Sequence, residues 1–554
     1  MKNTFKVILF IALALGLYFF QINKIPVWSM DEGRYAEIAR EMSAMNDYIL
    51  PHFNYLPYLE KPVLPPLLTA GAYRLFGETP LGARFLPVAA ALAGLLLVYF
   101  AGRRFFSAQT GGWAALVLLT TLGFALVGRF AVIDGFMTLL LSAAVFALMK
   151  AILEQDRRFY YLACVSMGLG FLTKGLIGIV LPGLIWFVSV LALRRFGEFK
   201  RAPWFTGLLI VALVVLPWML LMWRKQPDFF QVFIVEHHIQ RFLTKEFGRM
   251  KPFWFYAPIL IGTCFPWSLF LPAALTDGVR RGNPSREKNI FLWIWVAVIF
   301  VFFSLPKSKL PYYLLPVSVP LALILGEFLA CWVRGSASAL SDKLMRGAWI
   351  LLVVAASAAF AGGSIFLLFF HRVVEDPQFG ALRAVLLAGL GVLLAGSAAG
   401  FFLLNREKKT ASTLMLAGMV YALLLLTVEG MRLISPFQSS YAEAQKILAK
   451  LQPEDRVAVL AAPDDFSDLP FYLKRRILVV GSDRGTLKHA SMKPSQAEDS
   501  KKWFWSVETL IQEFNERTHV FYVLMTDERY REIVDQLQSP IVLMTRGEKI
   551  LITN

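Results

Sequence analysis

Long apolar stretches recur along the chain between short polar connections, and this pattern predicts the architecture. A membrane-spanning helix needs about 20 mostly apolar residues to cross the hydrocarbon layer. Thirteen stretches fit such helices, at residues 5–25, 82–102, 111–128, 132–150, 159–173, 176–193, 205–223, 253–274, 289–305, 313–333, 347–370, 381–404 and 411–430. The sequence therefore predicts a mainly α, polytopic transmembrane helical bundle of these 13 spans within residues 1–435.

The first apolar stretch has two interpretations, a cleaved signal peptide or a retained span. The bulky sequence PVWSM follows it, whereas cleavage of a signal peptide needs small residues at that point. We therefore predict an uncleaved first span.

Basic residues in the short connections predict the orientation of the spans. With the N-terminus inside, every inner connection carries Lys or Arg, as the positive-inside rule requires. These connections are residues 103–106, 150–158, 194–201, 280–288, 333–346 and 405–409. Thirteen spans place the C-terminus outside, and the loss of one of the two short stretches between 159 and 193 would reverse that placement.

The chain changes character after Pro436. Residues 437–554 hold no stretch of spanning length and alternate β-rich runs (RVAVLAA, RRILVV, HVFYVLM and PIVLMT) with polar helical patterns. This predicts a small α/β domain outside the membrane. The segment has no glycine-rich phosphate loop, so we expect no nucleotide cofactor.

Two outer segments have helical periodicity but too many polar residues to span. Residues 30–45, in the first outer loop (27–81), and residues 228–247, in the outer loop 224–252, predict amphipathic helices lying in the membrane interface. In the first of them, Ser29-x-x-Glu32 has the pattern of a helix capping box.

The net charge of +17 is spread over the connections, so we do not expect nucleic-acid binding. The basic outer loops have two interpretations. They anchor lipid headgroups, or they line a cavity that receives an anionic ligand. The three cysteines show neither CxxC nor Cys/His metal spacing.

Two isolated acids lie at the outer ends of apolar stretches. Asp31 follows the first stretch, and Asp134 stands in GRFAVIDGFMTLLL. Burying a charge at membrane depth costs about 3 kcal/mol or more, so such a residue faces a cavity or a partner. Arg129 is one candidate partner of Asp134. The other interpretation is a single site shared by Asp31 and Asp134.

A lone lysine at a membrane interface, such as Lys61, is usually a snorkelling anchor, but lysine and tyrosine side chains together can hold a phosphate by charge and hydroxyl donors. They occur in HFNYLPYLEKP and SLPKSKLPYYLLP, and the candidates are Tyr55, Tyr58, Lys61, Lys307, Lys309, Tyr312 and Tyr313.

The sequence VEHHIQRF places His237 and Arg241 on one helical face. Neutral imidazole together with a carboxylate suits a divalent metal. Glu236 or Glu60 together with a histidine is the candidate set for one such ion, Zn²⁺ or Mg²⁺/Mn²⁺.

Five motifs together resemble a known family. They are D-E-x-R-Y after the first stretch, the isolated Asp134, E-K-P in the first loop, F-L-T-K-G at 171–175 and K-x-x-Y-Y at 309–313. The chain is similar to the polyprenyl-phosphate-dependent membrane glycosyltransferases of the GT-C class, in their protein O-mannosyltransferase-like branch. Within it, the chain resembles the bacterial 4-amino-4-deoxy-L-arabinose (aminoarabinose) lipid A transferases.

The resemblance implies an undecaprenyl-phosphate sugar donor and a lipid A acceptor. It also implies transfer on the periplasmic face of the inner membrane and, for the cell, polymyxin resistance. Asp31 and Asp134 are the expected acidic residues of the active site. The expected substrate-binding residues are Arg34, Tyr35, Tyr55, Tyr58, Lys61, Arg241, Lys307, Lys309, Tyr312 and Tyr313. The resemblance further implies Glu60 with His237 or His238 as the metal ligands. We expect a monomer.

Two alternatives stay open at this point. The same chemistry can serve a protein or polysaccharide mannosyltransferase. A lipid or sugar transporter would show internal repeats and broken helices at the bilayer midplane, and the sequence shows no such repeat.

Overall fold

The computed structural model describes residues 2–240, 250–370, 377–492 and 497–554, without the side chains of residues 2, 3, 237–240, 368, 370, 377–379, 489 and 497. The chain divides into two compact units. The helical unit comprises residues 1–21, 87–220 and 234–430, and the α/β unit comprises residues 22–86, 221–233 and 431–554. The first outer loop and the C-terminal segment therefore belong to the same unit.

Most residues of the described part of the helical unit are helical, and some helices extend past the bounds of the unit given above. Their bounds are Lys2–Phe19, Pro80–Phe105, Ala108–Leu119, Leu122–Val127, Ile133–Glu154, Arg158–Lys174, Ile177–Ala192, Glu198–Arg201, Trp204–Lys225, Gln231–Gln240, Phe253–Phe255, Tyr256–Thr263, Trp267–Phe270, Leu271–Gly278, Arg286–Ser304, Pro311–Val317, Ser318–Val333, Ala339–Phe370, Pro377–Asn405 and Lys409–Gln438.

Each predicted span coincides with helical residues, and the polytopic helical fold is confirmed. Among the described helices, eight are long and apolar enough to cross a membrane, or nine if a bent pair counts as one span. That pair is Phe253–Thr263 and Trp267–Gly278, which meet at 101°. Pro266 lies in the break, where its missing N–H ends helical hydrogen bonding. The count of thirteen stays a prediction.

Small residues let helices of this unit approach closely. A Cβ atom on Gly102 would lie 2.7 Å from the Cα of Gly111, on the next helix along the chain. That next helix begins after Ser107, whose side chain accepts a hydrogen bond from the Thr110 backbone N–H and so caps the helix.

The α/β unit contains a six-stranded sheet, which confirms the predicted C-terminal α/β domain. Strands β1 (His52–Phe53) and β2 (Leu56–Pro57) form a separate hairpin earlier in the chain. The strands of the sheet are β3 (Arg456–Leu460), β4 (Leu478–Val480), β5 (Phe504–Trp505), β6 (Phe521–Thr526), β7 (Ile541–Arg546) and β8 (Lys549–Thr553), in the spatial order β5-β4-β3-β6-β8-β7. Strands β5, β4, β3 and β6 run parallel, and β8 and β7 are added antiparallel. The helices of this unit are Asp31–Ala44, Leu64–Phe76, Tyr441–Leu448, Leu469–Leu473, Gly485–Leu487, Lys488–Ser491, Ala497–Trp503, Val507–Glu516, Asp527–Ile533 and Val534–Gln536.

Alternate side chains of the sheet enter two apolar clusters, one on each face. Val457 and Val459 of β3 pack with Ile38 and Phe53 from the first outer loop. On the other face, Ala458 packs in the cluster of the helices that follow β5 and β6. The first outer loop therefore covers one face of the C-terminal sheet, which explains why the two segments form one unit.

The helix Asp31–Ala44, called the Asp31 helix below, differs from its prediction. Ten of its 14 residues are buried, charged ones included. It therefore lies within the protein rather than with one polar face exposed at a membrane interface. An amphipathic pattern serves for packing on a sheet as well as on a membrane, and here the charged positions are paired internally: Arg84 binds Glu32, and Arg40 binds Glu37.

The predicted capping box is also wrong. Within the described part of the chain, no side chain caps the start of the Asp31 helix, and Met30 precedes it with a φ of 65°. Ser29 Oγ instead donates to Asp468 Oδ1 at 2.6 Å. Glu32 accepts from the Trp28 backbone N–H at 2.9 Å while it binds Arg84. These long-range partners replace the local ones that the S-x-x-E pattern predicts.

Candidate active site

An ion bridge of three residues forms at the start of the Asp31 helix. The Arg34 guanidinium donates from one nitrogen to Asp31 and from another to Asp464, which lies in the loop after β3. The arginine side chain is 8% exposed, whereas the side chains of Asp31 and Asp464 are 25% and 21% exposed. A buried cation therefore holds two partly accessible carboxylates, and the three groups together carry one negative charge.

Aromatic hydroxyls surround this bridge. The Arg34 guanidinium lies 5.5 Å from the Tyr35 ring centroid. Burial raises the pKa of Tyr58 well above its usual range, and the charges of Glu60 and Tyr35 add to this rise. The Tyr58 hydroxyl is buried and has no hydrogen-bond partner among the residues that the structure describes. A neutral donor is thus left for a ligand, because a buried polar atom normally has a partner.

The pKa of Arg34 is raised as well. Burial by itself lowers it, but the nearby Tyr58, Asp31 and Asp464 outweigh the burial. The guanidinium therefore keeps its charge, and its Nε has no hydrogen-bond partner within the described part of the chain.

Tyr55 lies in a second ionic cluster. Asn54 and Tyr55 form the turn between β1 (His52–Phe53) and β2 (Leu56–Pro57), both with positive φ. The Tyr55 hydroxyl accepts from Arg40 at 3.3 Å, and its backbone N–H donates to Glu41 at 2.9 Å. Burial raises the pKa of Glu41 well above its usual range, and the neighbouring Glu37 raises it further. In the same unit, the Lys61 ammonium donates to the Glu60 carbonyl at 3.2 Å.

In the helical unit, Asp134 forms an ion pair with Lys174. Asp134 lies in the first turn of the helix Ile133–Glu154, where the helix dipole favours a negative charge. The Lys174 ammonium lies 4.5 Å from the centroid of the Tyr313 ring, so it contacts both the acid and the aromatic face. Arg129, the partner considered from the sequence, donates to the carbonyls of Leu17 and Phe20.

The two lysines of the loop before Tyr312, both predicted to bind phosphate, differ in their exposure. Lys307 is exposed, whereas Lys309 is buried. The Lys309 ammonium donates to the carbonyls of Lys251, at 3.2 Å, and Pro306. Burial lowers its pKa. Tyr312 is half-buried, with its ring centroid 5.7 Å from that of Tyr313.

Comparison with known proteins identifies the family of the chain. Residues 60–223 match the family model described as dolichyl-phosphate-mannose-protein mannosyltransferase. The chain is 36% identical to the undecaprenyl phosphate-alpha-4-amino-4-deoxy-L-arabinose arabinosyl transferase of Pectobacterium atrosepticum, over 64% of this chain and 63% of that protein. It is 33% identical to the transferase of the same name in Aeromonas hydrophila, over 74% of each. The chain belongs to this arabinosyl transferase family.

A solved structure extends the likeness beyond the aligned sequence. The crystal structure of ArnT from Cupriavidus metallidurans bound to undecaprenyl phosphate superimposes with a TM-score of 0.85 at 25% identity, over 99% of this chain and 97% of that one. The fold is therefore the GT-C fold of the arabinosyl transferases, and the chain is a multi-pass membrane protein.

Two charged residues of the candidate site, Lys174 and Asp464, were not among the residues predicted from the sequence. Lys174 stands in the F-L-T-K-G motif, and a lysine at the end of an apolar stretch was its signal. Asp464 follows a β-rich run, in RVAVLAAPDD. Ligand-facing groups of open parallel sheets gather at the carboxyl ends of strands where the strand order reverses. Here the order reverses between β3 and β6, which was the available signal for Asp464.

The metal prediction stays a prediction. Among the described residues, no group of three or more His, Cys, Asp or Glu side chains is arranged to hold a metal ion. Arg241 and the side chains of His237 and His238 lie outside the described residues. The single site shared by Asp31 and Asp134 also stays a prediction, because the two acids belong to different units.

Proposed function

We propose that the chain transfers 4-amino-4-deoxy-L-arabinose from undecaprenyl phosphate to the phosphates of lipid A, on the periplasmic face of the bacterial inner membrane. The alignments span less than two thirds of the Pectobacterium relative, so family membership supports the reaction class. The observation that carries the proposal is the Asp31 carboxylate, which is partly exposed and held by a buried arginine.

The reaction brings a phosphate of the lipid A acceptor to the sugar of the undecaprenyl-phosphate donor. An acceptor phosphate oxygen forms a bond to the anomeric carbon, and the bond from that carbon to the donor phosphate oxygen breaks. The electron pair leaves with undecaprenyl phosphate. A single displacement with oxocarbenium character inverts the anomeric centre.

A phosphate nucleophile is already an anion, so this reaction needs no general base. We assign Asp31 and Asp134 to binding of the sugar, and Asp31 suits its ammonium group because the bridge with Arg34 and Asp464 carries net negative charge. Lys61, Arg241 and Lys307 are the cations that we assign to the donor phosphate, with Lys309 supporting the loop. The neutral Tyr58 hydroxyl is a further donor to a ligand oxygen.

A second candidate function is protein or polysaccharide mannosyl transfer from a polyprenyl-phosphate donor. The match of residues 60–223 to the mannosyltransferase model favours it. A hydroxyl acceptor must lose a proton, so Asp31 would then act as a general base. Membership of a transferase family argues against the transporter alternative.

We also propose that a divalent ion binds Glu60 with His237 or His238, that the α/β unit lies on the periplasmic side, and that the protein acts as a monomer. A bound ion there would screen the negative charge of the donor phosphate.

The test uses purified protein in detergent with undecaprenyl-phosphate aminoarabinose and lipid A, followed by mass spectrometry of the acceptor. Wild type and Asp465→Asn, which removes an exposed acid, should both form the adduct, and Asp31→Asn should not. An undecaprenyl-phosphate mannose donor with a peptide acceptor runs in parallel. Transfer in that second reaction alone would replace the first proposal with the second.

A further inference from the structure

Asp464 of the C-terminal sheet domain contacts the active-site candidates. It lies in the loop after β3, and its carboxylate receives the Arg34 guanidinium. Arg34 also binds Asp31. Two acids more than 400 residues apart in the chain therefore share one arginine, each through a different nitrogen.

Asp464 is itself held in place on both sides of its carboxyl group. Oδ2 accepts from the Thr486 backbone N–H at 2.9 Å, and Oδ1 accepts from the Thr486 hydroxyl at 3.2 Å. A Cβ atom on Gly485 would lie 2.2 Å from Oδ2, and Gly485 has a φ of +46°, so this turn admits only glycine. The carboxylate is a fixed acceptor rather than a mobile surface acid.

The backbone just before the Asp31 helix is fixed by the same loop. The Met30 N–H donates to the Asp464 carbonyl at 3.0 Å, and the Met30 carbonyl accepts from Ser467 Oγ at 2.6 Å. These two bonds hold Met30 at its positive φ, which a side chain of its size rarely adopts. The loop therefore sets both where the helix begins and where Arg34 points.

We infer that Asp464 is a positioning residue for the transfer reaction: it holds one arm of the Arg34 guanidinium, so that Arg34 pairs with Asp31 through the other arm and Asp31 keeps part of its negative charge toward the substrate. This inference rests on the proposed function. Without Asp464, both arms of the guanidinium can close on Asp31 in the bidentate geometry that arginine and carboxylate prefer. The charge of Asp31 is then neutralised by Arg34, which lies on the same helix.

The matched variants are Asp464→Asn and Asp465→Asn, which remove the same charge one residue apart. Asp465 is exposed. In the transfer assay we expect Asp464→Asn to lower kcat about ten- to hundredfold, the range that follows from losing a hydrogen bond between charged groups. We expect KM for the donor to rise as well, because Asp31 is assigned to the ammonium group of the donor sugar. Asp465→Asn should match wild type.

A double-mutant cycle separates positioning from mere support of the fold. If Asp464 acts through Arg34, then Asp464→Asn has no further effect on kcat in the Arg34→Ala background. Independent losses in the two backgrounds, or an unchanged kcat in Asp464→Asn with an active wild type, would overturn the inference.

A second measurement does not depend on activity. Labelling with phenylglyoxal, followed by peptide mass spectrometry, reports how firmly Arg34 is held. We expect Arg34 to react slowly in wild type, Asp464→Asn and Asp31→Asn, where at least one carboxylate still holds it, and several-fold faster in the double variant Asp31→Asn/Asp464→Asn. Equal rates in all four proteins would refute the contact even if no variant transfers sugar, whereas an inactive wild type with the expected labelling pattern counts against the proposed function alone.

Discussion

Replacing Gly33 by alanine tests how closely the Asp31 helix packs on the loop after β3. A Cβ atom at Gly33 would lie 2.6 Å from the Asp468 backbone nitrogen, 2.8 Å from its Cα and 2.8 Å from Ser467 Oγ. Two of these three atoms are backbone, so no side-chain rotation relieves the clash. The helix or the loop must move.

Two effects of opposite sign decide the magnitude. Alanine is favoured over glycine within a helix by about 1 kcal/mol. Overpacking a buried position costs about 1–3 kcal/mol, and a clash with backbone belongs at the upper end. We therefore expect the free energy of unfolding to fall by about 1–2 kcal/mol. The displaced helix start should also lower transfer, because Arg34 is the next residue.

The assay is thermal unfolding of the purified protein in detergent, followed by intrinsic fluorescence. The matched control is Gly71→Ala, in the helix Leu64–Phe76 of the same unit, where a Cβ atom meets nothing within 4 Å. It should leave the midpoint unchanged or raise it, whereas Gly33→Ala should lower it by a few degrees. Equal midpoints for the two variants would refute the close packing of the helix on the loop.

Three further predictions concern charge and metal. Lys174→Met removes the cation of the buried ion pair with Asp134. Breaking a buried pair costs about 3–5 kcal/mol of stability, so both the unfolding midpoint and the rate of transfer should fall. Wild-type values for both would show that Lys174 is not part of the site. Lys61→Ala should raise the donor KM in steady-state assays more than it lowers kcat, whereas the control Lys24→Ala, at an exposed lysine, should not. Equal changes of KM in the two variants would favour lipid-headgroup anchoring instead. Chelation of divalent ions should lower the rate of transfer, and added Zn²⁺ or Mn²⁺ should restore it. Full activity of a protein that metal analysis shows to be free of ions would contradict the metal proposal.

Most of the fold could be predicted from the sequence because it follows from local patterns. Apolar stretches of spanning length became helices, and the four β-rich runs of the tail became β3, β4, β6 and β7. Strands β5 and β8 were not predicted. Phe504–Trp505 is only two residues long, too short for an alternating pattern to appear.

The site could be predicted less completely, because its partners are distant in sequence. Asp31 and Asp134 stood out as isolated acids, but the residue that pairs with Asp134 is 40 positions away, and Asp464 is 430 positions from Arg34. Local capping rules also favoured Ser29 as an N-cap, whereas its hydroxyl binds Asp468 across the fold. A tertiary hydrogen bond to a charged group is stronger than a local neutral one, which explains the difference.

The most direct test of the central claim is mass spectrometry of lipid A from cells that lack this protein, complemented with wild type or Asp31→Asn. We predict that the aminoarabinose adduct disappears on deletion, returns with wild type and does not return with Asp31→Asn expressed at the same level. An adduct that persists after deletion would contradict the proposed activity, and an adduct restored by Asp31→Asn would contradict the role of Asp31.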